Sequence, residues 1–352
     1  MIIDVLITLV KILFILAVTV GFFAPVLTWV ERKQSAIMQD RIGANRADIL
    51  GFRALGLFHI IADALKMFTK EDFIPQGANK TLHTMAPILA LVPALLTFAV
   101  VPFGGEYSLF GKKVNMVISD LDVGLLFVFA IASLSTYGYV IAGWSSNNNW
   151  SLLGSMRTSA QMISYEVTLG LTVIGVLMVY GTMKLTEIGA AQESFFHWGI
   201  FLQPLGFFMF LAASIAENKR IPFDNPEAES EIVAGYFTEY SGLKFGMFFM
   251  AEFIEMVTIL FFGGWHFPFI SSAALLSIFD FLGTTGANII VMLFHIGVFF
   301  AKVCIFIWLQ MTIRWTLPRF RYDQIMKLGW KILLPMSLAN ILVTGLVLLV
   351  IS

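Results

Sequence analysis

Apolar residues in this chain fall in long blocks rather than in the short periodic runs of a soluble fold. Blocks long enough to cross a bilayer lie at 2–30, 84–102, 121–143, 158–180, 200–217, 244–265, 287–313 and 331–351. A helix needs about 20 residues to cross the hydrocarbon core. The pattern therefore predicts an all-α polytopic membrane protein of about eight transmembrane helices, forming one integral membrane domain over 1–352. Block 267–283 is short and carries Asp280; it is expected to be interfacial or re-entrant, with nine spans as the alternative. Residues 2–30 carry only Asp4 and Lys11 as charges, and the basic Arg32 and Lys33 come after the block. A signal peptide places its basic residues first, so a retained first helix is expected.

The polar stretches between the blocks are unequal. Segments 31–83, 144–157, 217–244 and 314–331 hold seventeen Lys and Arg, and the alternate loops hold only Lys112, Lys113 and Lys184. Positive charge stays on the cytoplasmic side, so these four segments are expected to be cytoplasmic loops and both termini to lie opposite. The far-side loops look like ordinary connectors. Within the first cytoplasmic loop, residues 52–69 (FRALGLFHIIADALKMFT) predict an amphipathic helix: Leu55, Phe58, Ala62, Leu65 and Phe68 recur at helical spacing, and Asp63 and Lys66 share another face. Such a helix either lies in the interface plane or forms one wall of a pocket for an amphipathic ligand.

Composition agrees with a lipid solvent. Of 352 residues, 58% are hydrophobic and 13% charged, against about 25% charged in a soluble domain. Mean hydropathy is +0.85. A net charge of -1 gives no attraction to nucleic acid. Cys304 is the only cysteine, so no internal disulfide and no iron–sulfur cluster is expected. The five histidines fall on different segments, which argues against membrane bis-histidine haem. There is no glycine-rich nucleotide loop and no metal-ligand motif. Electrons for any redox chemistry must come from a partner.

Ionisable residues nevertheless stand inside the apolar blocks. Glu166 lies about two turns into the fourth, Glu217 ends the fifth, and Glu252 and Glu255 lie three apart in the sixth. His295 and Lys302 are seven apart in the seventh, hence on one face. Each charge at a membrane centre costs about 2.5–3.5 kcal/mol on insertion scales. Such a set is expected to face the interior, and the paired carboxylates are candidates to carry protons at neutral pH. Loop 217–244 (ENKRIPFDNPEAESEIVAGYFTEYSGLK) concentrates Asp224, Glu227, Glu229, Glu231 and Glu239 against only Lys219, Arg220 and Lys244. Phe223, Tyr236, Phe237 and Tyr240 are interleaved, which predicts a packed, ordered loop rather than a solvated one.

Four stretches, ERKQSAIMQDRIGANRADILG (31–51) continuing to IADALKMFTKE (61–71), GWSSNNNWSLLGSMRTSAQMISYE (143–166), ENKRIPFDNPEAESEIVAGYFTEYSG (217–242) and RWTLPRFRYDQIM (314–326), together resemble one family. It is the quinone-site membrane subunit of proton-translocating NADH:quinone oxidoreductase, respiratory complex I. The resemblance covers essentially the whole chain and implies a multi-pass protein of a bacterial inner membrane, both termini periplasmic. It implies docking among peripheral-arm quinone-site subunits, small membrane subunits and antiporter-like subunits, with quinone as substrate. Flavin and iron–sulfur clusters are expected in those partners and no cofactor in this chain. On matching positions, Glu31, Arg32, Arg41, Arg46 and Asp63 would line or support the quinone chamber. Asp224, Glu227, Glu229 and Glu231 would form the coupling loop, and Glu166, Glu217, Glu252, Glu255 and Lys302 a proton path. The chain departs from the family pattern at Ala44, at His59-Ile60 and at Asn149-Trp150, which bears on quinone specificity rather than on the carboxylates. Two rivals are the equivalent subunit of a membrane-bound hydrogenase or other dehydrogenase, and a standalone cation transporter. The transporter would show paired Gly/Pro breaks at mid-membrane, and none stand in corresponding positions.

Overall fold

The fold is taken from a computed structural model, which describes residues 2–109, 111–257, 264–266, 272–279 and 283–351 and omits the side chains of Ile2, Leu109, Glu229, Ser230 and Val257. Helix α1 (Ile2–Leu16) runs through a π-helical segment (Ala17–Phe23) into α2 (Ala24–Met38), making one long rod. After a loop comes the short α3 (Phe58–Thr69), then α4 (Lys80–Thr97). A two-stranded antiparallel hairpin, β1 (Glu106–Leu109) and β2 (Lys112–Asn115), precedes α5 (Gly124–Ser145) and α6 (Asn149–Tyr180). The short α7 (Leu185–Ala191) and α8 (Gly199–Leu202) lead to α9 (Pro204–Glu217). Then follow α10 (Glu229–Ile232), α11 (Gly242–Val257), α12 (Ser272–Ile278), α13 (Gly283–Thr316), α14 (Tyr322–Lys327) and α15 (Leu334–Ile351), the last two joined by a π-helical segment.

Six of these helical rods are long and apolar enough to span: Ile3–Met38, Lys80–Thr97, Gly124–Ser145, Asn149–Tyr180, Gly283–Thr316 and Tyr322–Ile351. The expected fifth span is the shorter apolar Pro204–Glu217. The expected sixth is α11, which ends where the described residues stop. Of block 267–283, α12 is helical and Asp280 lies outside the described residues. Helix α6 starts at Asn149, so much of the segment expected as loop 144–157 is helical and Arg157 sits on that helix. The far-side connector after α4 is not featureless. It is the hairpin, with Gly111 at φ +76° in its turn, and it buries Tyr107.

Helices in lipid gain little from apolar burial alone, so close approach and polar contacts hold them together. Small residues let α5 settle on α4: a Cβ on Gly138 would lie 2.6 Å from the Ala90 nitrogen. Buried amides bind the other half of the bundle. Gln161 donates to the carbonyls of Ala216 (2.7 Å) and Phe223 (2.8 Å), tying α6 to the end of α9. Gln203 donates to Thr344 (2.8 Å) and accepts from Asn340 (3.0 Å), tying α15 to the α8–α9 junction. Loop 217–242 is packed down as expected. Gly235 carries it across α6 at φ +59°, and a Cβ on Gly154 would lie 2.5 Å from the Gly235 Cα. Two glycines facing each other bring the loop backbone against the helix.

Candidate functional site

A cleft of about 850 Å³ opens at one end of the bundle. Each wall is one face of one element. Helix α2 supplies Thr28, Glu31, Arg32 and Ser35, which helical spacing puts on one side. The loop after α2 supplies Arg41, Gly43, Ala44, Asn45 and Arg46, and α3 supplies His59, Asp63, Lys66, Met67 and Lys70. Opposite these polar walls stand Phe245, Phe249 and Phe253, every fourth residue of α11, with Trp315 from the end of α13. The five residues expected to surround a chamber thus line one cleft. Helix α3 forms a wall of the cleft. His59, Asp63 and Met67 face inward, while Ile61, Leu65 and Phe68 stay exposed on the chain's surface. Arg32 pairs with Asp63 at 2.6 Å, clasping α2 to α3. Gly43 turns the loop at φ +75° where a Cβ would press on Ala36.

An ionic chain leads from the cleft into the bundle. Glu31 binds Arg314 at 2.5 Å through one oxygen and stands 3.9 Å from Arg220 through the other. Arg220, 4% exposed, binds Glu252 at 3.1 Å. Its guanidinium lies 4.7 Å from the Phe253 ring centroid and 5.6 Å from that of Phe249, two rings that also wall the cleft. The Tyr236 hydroxyl donates to the second Glu252 oxygen at 2.8 Å. Glu255 faces Lys219 at 3.6 Å, and the Lys219 ammonium sits 3.8 Å from the Tyr139 ring centroid. The carboxylates succeed one another within electrostatic reach: Glu252 with Glu255, Glu255 with Glu217, and Glu217 with Glu166. Glu166 stands beside Ser133 of α5.

The loop acids divide. Asp224 is buried against Arg319 at 2.9 Å, and Glu227 lies within reach of Glu252 and Asp224. Glu231 is exposed and pairs with Arg157 at 2.7 Å, a contact worth about 0–1 kcal/mol at a surface. The Glu229 side chain lies outside the described residues. Lys302 stands in a different group. It donates to the carbonyls of His266 (2.7 Å) and Gly264 (3.3 Å), with the Trp198 ring 4.1 Å away. Sequence reasoning missed Lys219, Arg220, Tyr139, Tyr236 and Arg314 as parts of the network. Both loop cations are buried, Lys219 more deeply than its partner Glu255. Their position at the very end of an apolar block, next to Glu217, was the available signal.

Glu227 gives a pH test. Burial, then the charges of Glu252 and Asp224, hold its carboxyl well above the ordinary 4.5. The unfolded chain ionises this group at its ordinary value while the folded chain keeps the proton, so the folded state loses stability as pH rises above 4.5. Glu227→Gln lacks that cost. Its thermal stability in detergent is expected to gain on the parent as pH is raised from about 5 to about 8. An offset independent of pH would refute the assignment.

Fold and site together define a class: a polytopic membrane subunit that sets a cation-rich, aromatic-walled cleft over a line of buried carboxylates. A family profile described as NADH dehydrogenase matches residues 10–345. An H-type NADH-quinone oxidoreductase subunit of Geobacter metallireducens is 45% identical over 98% of each chain. The H-type subunit of the same oxidoreductase from Flavobacterium johnsoniae is 44% identical over 92% of this chain and 89% of its own. That of Flavobacterium psychrophilum is 45% identical over 92% and 91%. The chain therefore belongs to the NADH dehydrogenase family.

Proposed function

We infer that this chain works as the quinone-site membrane subunit of a bacterial NADH-quinone oxidoreductase, walling part of the quinone chamber and passing the effect of quinone reduction into the membrane. The carrying observation is one residue with two neighbours. Arg220 binds Glu252 in the membrane and stands beside Glu31 on the cleft wall. A quinone is a planar polar head on an apolar tail. Arg32, Arg41, His59 and Asp63 suit the head, and Phe245, Phe249 and Phe253 suit the apolar part. Reduction to quinol takes up two electrons and two protons. Charge that appears transiently near Glu31 acts on Arg220, and through it on Glu252, Glu255, Glu217 and Glu166. The residues needed to hold a flavin or an iron–sulfur cluster belong to partner subunits of the peripheral arm. The inner membrane, with the cleft facing the cytoplasm, is the site this role requires.

A photoreactive azidoquinone added to the assembled oxidoreductase tests the reading. Label is expected in peptides covering His59–Met67 or Phe245–Phe253, and a saturating natural quinone should remove it. Specific label confined to other regions of the complex would overturn the chamber assignment.

A further inference from the structure

A second polar site lies at the other end of the bundle. Its cavity, about 200 Å³, is lined by Tyr107, His266, Ser272, Asn288 and His295 among others. Asn288 here and Trp315 at the cleft stand 27 residues apart on α13. At 1.5 Å per residue that is about 40 Å, a full bilayer. Five separate segments meet at this site: the hairpin, α7, residues 264–266, α12 and α13.

The chemistry of the lining is specific. The Tyr107 hydroxyl accepts from the Gly105 amide at 3.1 Å and shares a hydrogen bond of 2.6 Å with His295 Nδ1. His266 Nδ1 meets the Ser272 hydroxyl at 3.3 Å. Each imidazole is thus oriented by one nitrogen. The other nitrogen, Nε2, has no hydrogen-bond partner in either ring among the described residues. His295 is 2% exposed and His266 7%. A buried polar atom without a protein partner is unfavourable unless water supplies one. The cavity has room for about six waters at roughly 30 Å³ each. The two rings are 5.5 Å apart, and the Lys302 ammonium and the Glu193 carboxylate act on both. Lys302 also holds the His266 carbonyl.

We propose that this pocket is the exterior proton port of the chain: water fills it, and His295 and His266 exchange protons between that water and the Lys302 side of the bundle. An imidazole that takes up one proton from the interior and gives one from Nε2 to a pocket water ends with the proton count it began with, so no charge accumulates. This use of the pocket rests on the chain serving a proton pump.

Access is tested first, in the assembled oxidoreductase reconstituted in vesicles. Val291→Cys lies on the cavity wall, and Val303→Cys is equally buried on the same helix outside it. A small cationic thiosulfonate applied from the exterior side is expected to label Val291→Cys and to spare Val303→Cys. Labelling of neither, or of both equally, overturns the pocket. Function is tested with His295→Gln and His266→Gln, which keep polar side chains but do not titrate. Each is expected to lower protons moved per electron while uncoupled quinone reduction stays at the parental rate. An unchanged ratio in both variants overturns the port. Normal pumping by an assembled Glu252→Gln enzyme would instead count against the pump reading itself, so the two failures are distinguishable.

Discussion

Glu252→Gln is expected to lower quinone reduction and proton translocation of the assembled oxidoreductase together, by about 10²-fold, the lower end for a positioned proton-transfer group. Glutamine keeps the shape of the side chain and an oxygen for the Tyr236 hydroxyl, which donates across 2.8 Å. It cannot carry a proton, and it leaves the Arg220 charge facing a neutral amide at the place of a 3.1 Å ion pair. Both losses fall at the point where the cleft network enters the helix bundle. The measurement is NADH-driven quinone reduction and vesicle acidification on enzyme whose subunit content matches the parent. Asp122→Asn is the control, because Asp122 is an exposed carboxylate near Lys184, away from the cleft and the acid line, and should change neither rate. Parental pumping by a fully assembled Glu252→Gln enzyme would remove this carboxylate from the path.

Arg220→Gln should act on stability before it acts on turnover. It takes the cation away from Glu252 and from the neighbourhood of Glu31 and Glu227. Removing one partner of a buried ion pair costs about 3–5 kcal/mol, because the remaining charge stays in the low-dielectric interior. That is a large part of the roughly 5–15 kcal/mol that holds an ordinary domain together. The chain is expected to disappear from the purified complex. Arg220→Gln/Glu252→Gln together leaves no bare charge at that position and should recover much of the loss, which a double-mutant cycle reads as coupling. Arg220→Lys keeps the charge without the two-armed guanidinium and should fall between. Equal accumulation of Arg220→Gln and parent would show that the bridge contributes nothing to stability.

Much of this was legible in the sequence because lipid allows so few solutions. Long apolar blocks have to be helices, and charges within them have to face inward. That logic located Glu166, Glu217, Glu252 and Glu255 without reference to contacts. Helix α3 was legible as amphipathic, but whether its polar face looked at solvent or at a pocket depended on α2 and α11, which are remote in sequence. Arg220 and Lys219 were misjudged as loop cations because one-dimensional reading treats the end of an apolar block as its boundary with water. The packed loop 217–242 moves that boundary outward. The hairpin escaped notice for a related reason: its strands are four residues each, and Tyr107 finds His295 across 188 positions of chain. Lys302, grouped with the carboxylates by sequence, belongs by contact to the His266 neighbourhood.

Phe249 and Phe253 have one side toward the cleft and another against the Arg220 guanidinium. Whatever rests on those rings shares a wall with the charge that steadies Glu252. Thermodynamic linkage is reciprocal. If uptake of a proton by the acid line loosens a guest in the cleft by some factor, the guest must oppose that proton uptake by the same factor. A membrane energised enough to load the carboxylates from the far side would then weaken the grip on quinone, a form of back-pressure written into two benzene rings.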